Sequence, residues 1–189
     1  MGTYNLSAKR LLEMSANGTE SFMPPTLALD TPVLKKLDLT GVSSLTTIDL
    51  GSDKTPKLEE VYLTGTNIAT VTLPQGSRLN VVHFPRALTS LSIINNTGLE
   101  DVQFEGLENL VDVTINCSKC GKFDVADFCE KLINVNTLES ITLYNANLYI
   151  TEDALRKLIY TKNCNLTGDI YIVTSAGGTT LKAINFSTK

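Results

Sequence analysis

Leu34-Lys-Lys-Leu37-Asp-Leu39, Leu45-Thr-Thr-Ile48-Asp-Leu50, Leu58-Glu-Glu-Val61-Tyr-Leu63 and Ile68-Ala-Thr-Val71-Thr-Leu73 are four consecutive copies of one pattern, L-x-x-L-x-L, and their reading decides the fold. The pattern continues in Leu79/Val82/Phe84, Leu88/Leu91/Ile93, Leu99/Val102/Phe104 and Leu110/Val113/Ile115. It returns in Leu138/Ile141/Leu143, in a looser Leu166…Ile170/Ile172, and in Leu181/Ile184/Phe186. The first positions step by 11, 13, 10, 11, 9, 11 and 11 residues, then by 28, 28 and 15. Self-similarity at a nearly fixed period marks repeated supersecondary units, none of which can bury its apolar face alone.

Within each copy the last four residues alternate, which predicts a short strand with one face in a core. Turn residues separate the copies: Thr40-Gly41, Gly51-Ser52-Asp53, Gly65-Thr66-Asn67, Pro74-Gln75-Gly76 and Asn95-Asn96-Thr97-Gly98. Strands at such spacing also suit an antiparallel meander. The constant phase of the apolar triplet favours stacked coils instead, two copies making one coil of about 21–22 residues.

The segment Leu138-Glu-Ser-Ile141-Thr-Leu143-Tyr-Asn-Ala146-Asn-Leu148 resembles the leucine-rich-repeat consensus L-x-x-L-x-L-x-x-N/C-x-L. A helix is predicted after it, with Thr151 as N-cap and Ala154, Leu155, Leu158 and Ile159 on one face. The preceding unit repeats the plan, with a strand over Val111–Ile115 and a helix near Asp124–Ile133. Ala146 and Ser118 depart from the family pattern, standing where many such repeats carry asparagine. The short repeats are similar to the irregular ones of gut-bacterial surface proteins and phage virion proteins. The resemblance implies a leucine-rich-repeat solenoid over residues 34–189, an α/β repeat of short ββ coils followed by two βα coils, with parallel sheets.

Counting assigns the strands to two faces. One set ends at Leu39, Leu63, Phe84 and Phe104; the other ends at Leu50, Leu73, Ile93 and Ile115 and is expected to continue through Leu143 and Ile172. Residues 1–33 show no repeat at this reading. Leu6–Met14 is expected to form a short helix capping the first coil, since a bare end coil exposes apolar surface. The strand expected over Leu181–Phe186 is followed by no polar cap, so its edge is a candidate for self-association, and the chain is a candidate fragment of a longer protein.

Composition excludes several classes. The 189 residues carry a net charge of −4, so no basic footprint for nucleic acid exists. With 42% hydrophobic residues the chain can build a core, and no run approaches the about 20 apolar residues of a membrane span. The start, MGTYNLSAKRLLEMSANG, lacks the apolar region of a secretory signal. Six N-x-[ST] sequons occur, at Asn5, Asn17, Asn95, Asn116, Asn165 and Asn185, as expected in a chain rich in threonine and asparagine. No phosphate-binding glycine loop or H-E-x-x-H motif is present.

Reactive side chains are few. Cys117-Ser-Lys-Cys120, with Cys129 and Cys164, reads first as reduced structural thiols; a disulfide, Cys117–Cys120 or another pairing, and a structural zinc are the alternatives. No metal and no cofactor is expected. His83 is the single histidine and alternates outward between Tyr62 and Gln103 of adjacent coils, without a nucleophile to complete a triad. Tyr62, His83 and Gln103 therefore form a candidate binding strip. On the other sheet Thr72, Ser92, Thr114 and Thr142 point outward, a hydroxyl-rich face whose serine and aspartate neighbours break the regular methyl array that ice binding requires. The expected function is a non-enzymatic binding module for a protein or a surface glycan, with a structural part of a larger assembly, such as a phage tail or cell-surface appendage, as the alternative.

Overall fold

The computed structural model describes residues 2–17, 23–116, 120–144, 148–161, 163–167, 170–173 and 179–182. The chain coils as a parallel-sheet β-solenoid of about 7 turns. Ten strands come first: β1 (Thr3–Ser7), β2 (Glu13–Ser15), β3 (Thr26–Asp30), β4 (Lys36–Asp38), β5 (Thr47–Asp49), β6 (Glu60–Tyr62), β7 (Val71–Thr72), β8 (Val81–Phe84), β9 (Ser90–Ile94) and β10 (Asp101–Phe104). They are followed by β11 (Asp112–Asn116), helix α1 (Val125–Leu132), β12 (Ser140–Tyr144), β13 (Leu148–Thr151), helix α2 (Glu152–Thr161), β14 (Asn163–Leu166), β15 (Ile170–Val173) and β16 (Thr179–Lys182).

Alternate strands stack into two faces. The run β1-β3-β5-β7 meets β9-β11-β12-β14 through the single Thr70–Ser90 bridge and forms the longer sheet. The run β2-β4-β6-β8-β10 forms the shorter one. Register holds the apolar triplets in phase: Leu37 lies beside Val61, Val61 beside Val82 and Val82 beside Val102. Leu34, Leu37, Leu39, Leu58, Val61 and Leu63 are fully buried, each contributing about 1.5–3 kcal/mol of apolar transfer. The inward residues of successive coils form one continuous core, so each coil must present its apolar triplet in the same phase.

The corners bury polar groups that satisfy the turning backbone. Thr55 Oγ1 donates to the Leu50 carbonyl at 2.9 Å and Thr66 Oγ1 to the Leu63 carbonyl at 2.8 Å. Asn96 is 1% exposed; its Oδ1 accepts from the Ile94 N–H at 2.9 Å and its Nδ2 donates to the Pro74 carbonyl at 2.8 Å, tying one coil to the previous one. Unpaired, such buried groups would each cost about 1–3 kcal/mol. Ala146 and Ser118, noted for the absence of asparagine, lie outside the described residues.

The solenoid differs from the sequence expectation at both ends. Leu6–Met14 forms no helix: β1 pairs in parallel with β3 and β2 with β4, so the coils begin at Thr3 and the N-terminal region is not a helical cap. The reason is visible in Leu11-Leu-Glu-Met14-Ser-Ala16, which keeps the L-x-x-L-x-L spacing with weaker apolar residues. At the other end the longer sheet continues from β12 into β14, through Cys164 and Leu166, rather than through Ile172. Ile172 belongs to a separate sheet, β13-β15-β16. Its last described strand, β16 (Thr179–Lys182), runs antiparallel to β15 rather than parallel; beyond Lys182 the strand expected over Leu181–Phe186 lies outside the described residues.

Both helices form as expected. Asp124 caps α1, accepting from the Ala126 and Asp127 N–H groups at 2.9 and 3.0 Å. Thr151 Oγ1 accepts from Ala154 N–H at 3.3 Å, and Ala154, Leu155 and Leu158 are buried. α1 occupies the place that a further strand after β10 would take, while α2 is preceded by β13, so the second long unit holds a strand as well as a helix.

Candidate functional site

The outer face of the shorter sheet carries two columns of side chains, because residues two apart on each strand point the same way. Pairing sets Asp38 beside Tyr62, Tyr62 beside His83 and His83 beside Gln103. The neighbouring column runs Lys36, Glu60, Val81, Asp101. The predicted strip of Tyr62, His83 and Gln103 is therefore assembled by the register. Lys36, Glu60 and Asp101, which the sequence reading passed over, interlock with it. Their outward phase, two residues before each strip member, was the available signal.

The contacts form one chain of interactions across four coils. Lys36 Nζ pairs with Glu60 Oε2 at 3.1 Å and lies 5.1 Å from the centre of the Tyr62 ring. The Tyr62 hydroxyl donates to Glu60 Oε2 at 2.9 Å. The Tyr62 and His83 rings meet edge to face, with centroids 4.8 Å apart and planes at 80°. His83 Nε2 donates to Asp101 Oδ2 at 3.1 Å, and Gln103 Nε2 donates to Asp101 Oδ1 at 3.1 Å.

These contacts shape the electrostatics. Hydrogen bonds from His83 and Gln103 hold the Asp101 carboxyl below the usual aspartate value. Those from Lys36 and Tyr62 lower Glu60 in the same way. Burial, reinforced by the hydrogen bond to Glu60, pushes the Tyr62 phenol up, so it stays a protonated donor. The imidazole is thus positioned by a carboxylate on one side and an aromatic edge on the other, with the hydroxyl of its aromatic neighbour committed elsewhere. Such an arrangement presents a rigid, mixed aromatic and polar surface.

The hydroxyl positions of the longer sheet are also aligned: Asp49 lies beside Thr72, Ser92 beside Thr114, and Thr114 beside Thr142. Thr72 and Ser92 line a shallow cleft of about 180 Å³ where β7 and β9 share only one bridge. The adjacent column on the same face carries charge: Asp112 lies between Ser90 and Ser140, and Ser140 Oγ donates to it.

Among the described residues, no group of three or more His, Cys, Asp or Glu side chains is arranged to hold a metal. Cys120 is disulfide-bonded, whereas the first reading had it reduced; Cys117 lies outside the described residues. Cys129 and Cys164 are buried thiols, and burial pushes them up to about 12 and about 11. A further aromatic pair, missed in the sequence because it depends on β13 pairing with β15, is Tyr149 stacked on Tyr171 at 4.4 Å. No helix among the described residues is long and apolar enough to cross a membrane.

Comparisons with protein families, with curated proteins and with solved structures returned no match.

Proposed function

We propose that the chain is a non-enzymatic binding module of the irregular leucine-rich-repeat type, recognising a protein or a surface glycan through the outer face of its shorter sheet. One observation carries this reading: the linked series Lys36, Glu60, Tyr62, His83, Asp101 and Gln103, in which each side chain is held by a neighbour. Side chains already fixed in the free protein lose little conformational entropy on binding. Aromatic rings flanked by charge-assisted hydrogen bonds supply the anchor chemistry of interface hot spots. The family assignment rests on the Leu138–Leu148 consensus and the helix after it. Thr72, Ser92, Thr114 and Thr142 form the second surface within the same reading.

The test is binding of the purified chain to arrays of glycans and of extracellular protein domains, alongside Tyr62→Ala, His83→Ala and Thr114→Ala. Loss of the strongest signals in the Tyr62 and His83 variants, with Thr114→Ala unchanged, supports the strip. Signals that survive both strip substitutions, or arrays without any signal, overturn it.

A further inference from the structure

The ladder of the longer sheet opens after the Thr70–Ser90 bridge, and β7 and β9 share no further rung. In the other short coils the third apolar residue of a copy closes that rung. Leu39 N–H donates to the Tyr62 carbonyl at 2.9 Å, Leu50 N–H to the Thr72 carbonyl at 3.0 Å and Leu63 N–H to the His83 carbonyl at 2.9 Å. Continued from Thr70–Ser90, the matching bond would run from Leu73 N–H to the Ser92 carbonyl, and it is absent. Leu73 is only 7% exposed. A main-chain donor left unpaired in so buried a place costs free energy that a partner restores.

The gap is closed at both ends. On one side Thr89 N–H donates to the Ala69 carbonyl at 2.9 Å. On the other, Asn96 Nδ2 donates to the Pro74 carbonyl at 2.8 Å and Gly76 N–H to the Asn95 carbonyl at 3.0 Å. The cleft of about 180 Å³ lies over this gap, lined on its outer face by Thr70, Thr72, Ser90, Ser92, Gln75 and Ile94. None of these residues is charged. Asp49 lies beside Thr72 and Asp112 beside Ser90, one coil to either side. Both carboxylates already accept hydrogen bonds, from Gly51 N–H and Ser140 Oγ.

We infer that the cleft between β7 and β9 binds a neutral sugar residue. This rests on the reading of the chain as a binding module and names the ligand class for the Thr72 and Ser92 part of its longer sheet; it does not use the Tyr62 and His83 strip. A sugar hydroxyl both donates and accepts, so one ring carrying several of them serves the Leu73 N–H, the Ser92 carbonyl and the four side-chain hydroxyls together. Ile94 offers the apolar contact that the C–H face of a ring needs, and the Gln75 amide adds a further polar group at the rim. The flanking aspartates turn away an anion such as a sialic acid or a phosphate. An extended peptide is excluded, because the bonds at both ends of the gap leave no open edge for a strand to run along.

The chain, labelled with ¹⁵N, is titrated separately with glucose, galactose, mannose and N-acetylglucosamine, and with N-acetylneuraminic acid and inorganic phosphate. The expected result is saturable binding of at least one neutral sugar, seen as shifts of the Leu73 and Ser92 amide signals, with no response to the two anions. Ser92→Ala and Thr72→Val, both substitutions of outward side chains, should each weaken that binding about fivefold while the other amide signals keep their wild-type positions. Absence of any response to the neutral sugars at 100 mM, roughly the weakest binding worth the name, overturns the inference. Equal binding of an anion does so too, as does unchanged affinity in both variants. Shifts confined to β6 and β8 would place the sugar on the Tyr62 and His83 strip, which overturns the cleft and leaves the strip standing.

Discussion

Tyr62 and His83, twenty-one positions apart in sequence, meet edge to face at 4.8 Å because β6 and β8 pair in register. That contact links Lys36 and Glu60 at one end of the strip with Asp101 and Gln103 at the other. It turns separately exposed side chains of short strands into one continuous surface.

The Asp101 carboxyl has a pH signature. Its folded value lies below the ordinary 3.8, chiefly through the hydrogen bond from His83, so the pair contributes stability that is present above pH 3.8 and disappears as pH falls through the lowered value. Thermal unfolding of wild type and Asp101→Asn between pH 2 and 6 should show a gap in the midpoint that closes toward the acid end. A gap that widens toward acid would contradict the pairing.

Neighbouring residues on β6 and in the turn after it should respond unequally to truncation. Leu63 is fully buried, and Leu63→Ala should cost about 3 kcal/mol, the transfer of its methyl groups plus the cavity left behind. Tyr62→Ala removes an outward, half-buried side chain and should cost about 1 kcal/mol. Urea unfolding midpoints of the two variants measure the difference.

Asn96→Ala should be unusually costly for a turn residue. The substitution leaves the Ile94 N–H and the Pro74 carbonyl unpaired in a buried corner, a loss of about 2–3 kcal/mol. Asn96→Asp retains an acceptor for Ile94 but no donor for Pro74, so its equilibrium unfolding should also fall below wild type.

Two glycines with positive φ separate backbone strain from crowding. At Gly76, with φ of 110° and open space around it, alanine meets only the strain of the left-handed region, about 1–2 kcal/mol. At Gly121, with φ of 65°, the added methyl would also overlap the Leu99 carbonyl and force the next coil away. Gly121→Ala should therefore lower the melting temperature clearly more than Gly76→Ala.

Cys129 and Cys164, with thiols pushed up to about 12 and about 11, should resist iodoacetamide at pH 8 in the folded protein and react fully in denaturant. Mass spectrometry of the peptides carrying each residue reads this directly. Rapid modification in the native state would show that the coil around α1 opens.

The strip was readable before its contacts were. Tyr62, His83 and Gln103 share one phase of the repeat, and phase alone places them in line on the outer face. The ion pairs of Lys36 and Asp101 were not readable, since they depend on side-chain reach between columns as well as on phase. Likewise Leu11, Met14 and Ala16 hold the repeat spacing but are too weakly apolar to be distinguished from a helix face until β2 is seen beside β4.

The sequence by itself determined the number of residues per coil, which side chains point inward and where the two helices fall. These follow from local periodicity, turn residues and caps, all of which act within a few residues. The tertiary structure alone decided which strand follows which: that β14 rather than β15 extends the longer sheet, that β15 joins β13, that β16 turns antiparallel, and that β7 and β9 share only one bridge. A strand with alternating apolar residues can hydrogen-bond to any neighbour of matching length. The choice is made by the packing of the whole stack, which no single repeat encodes.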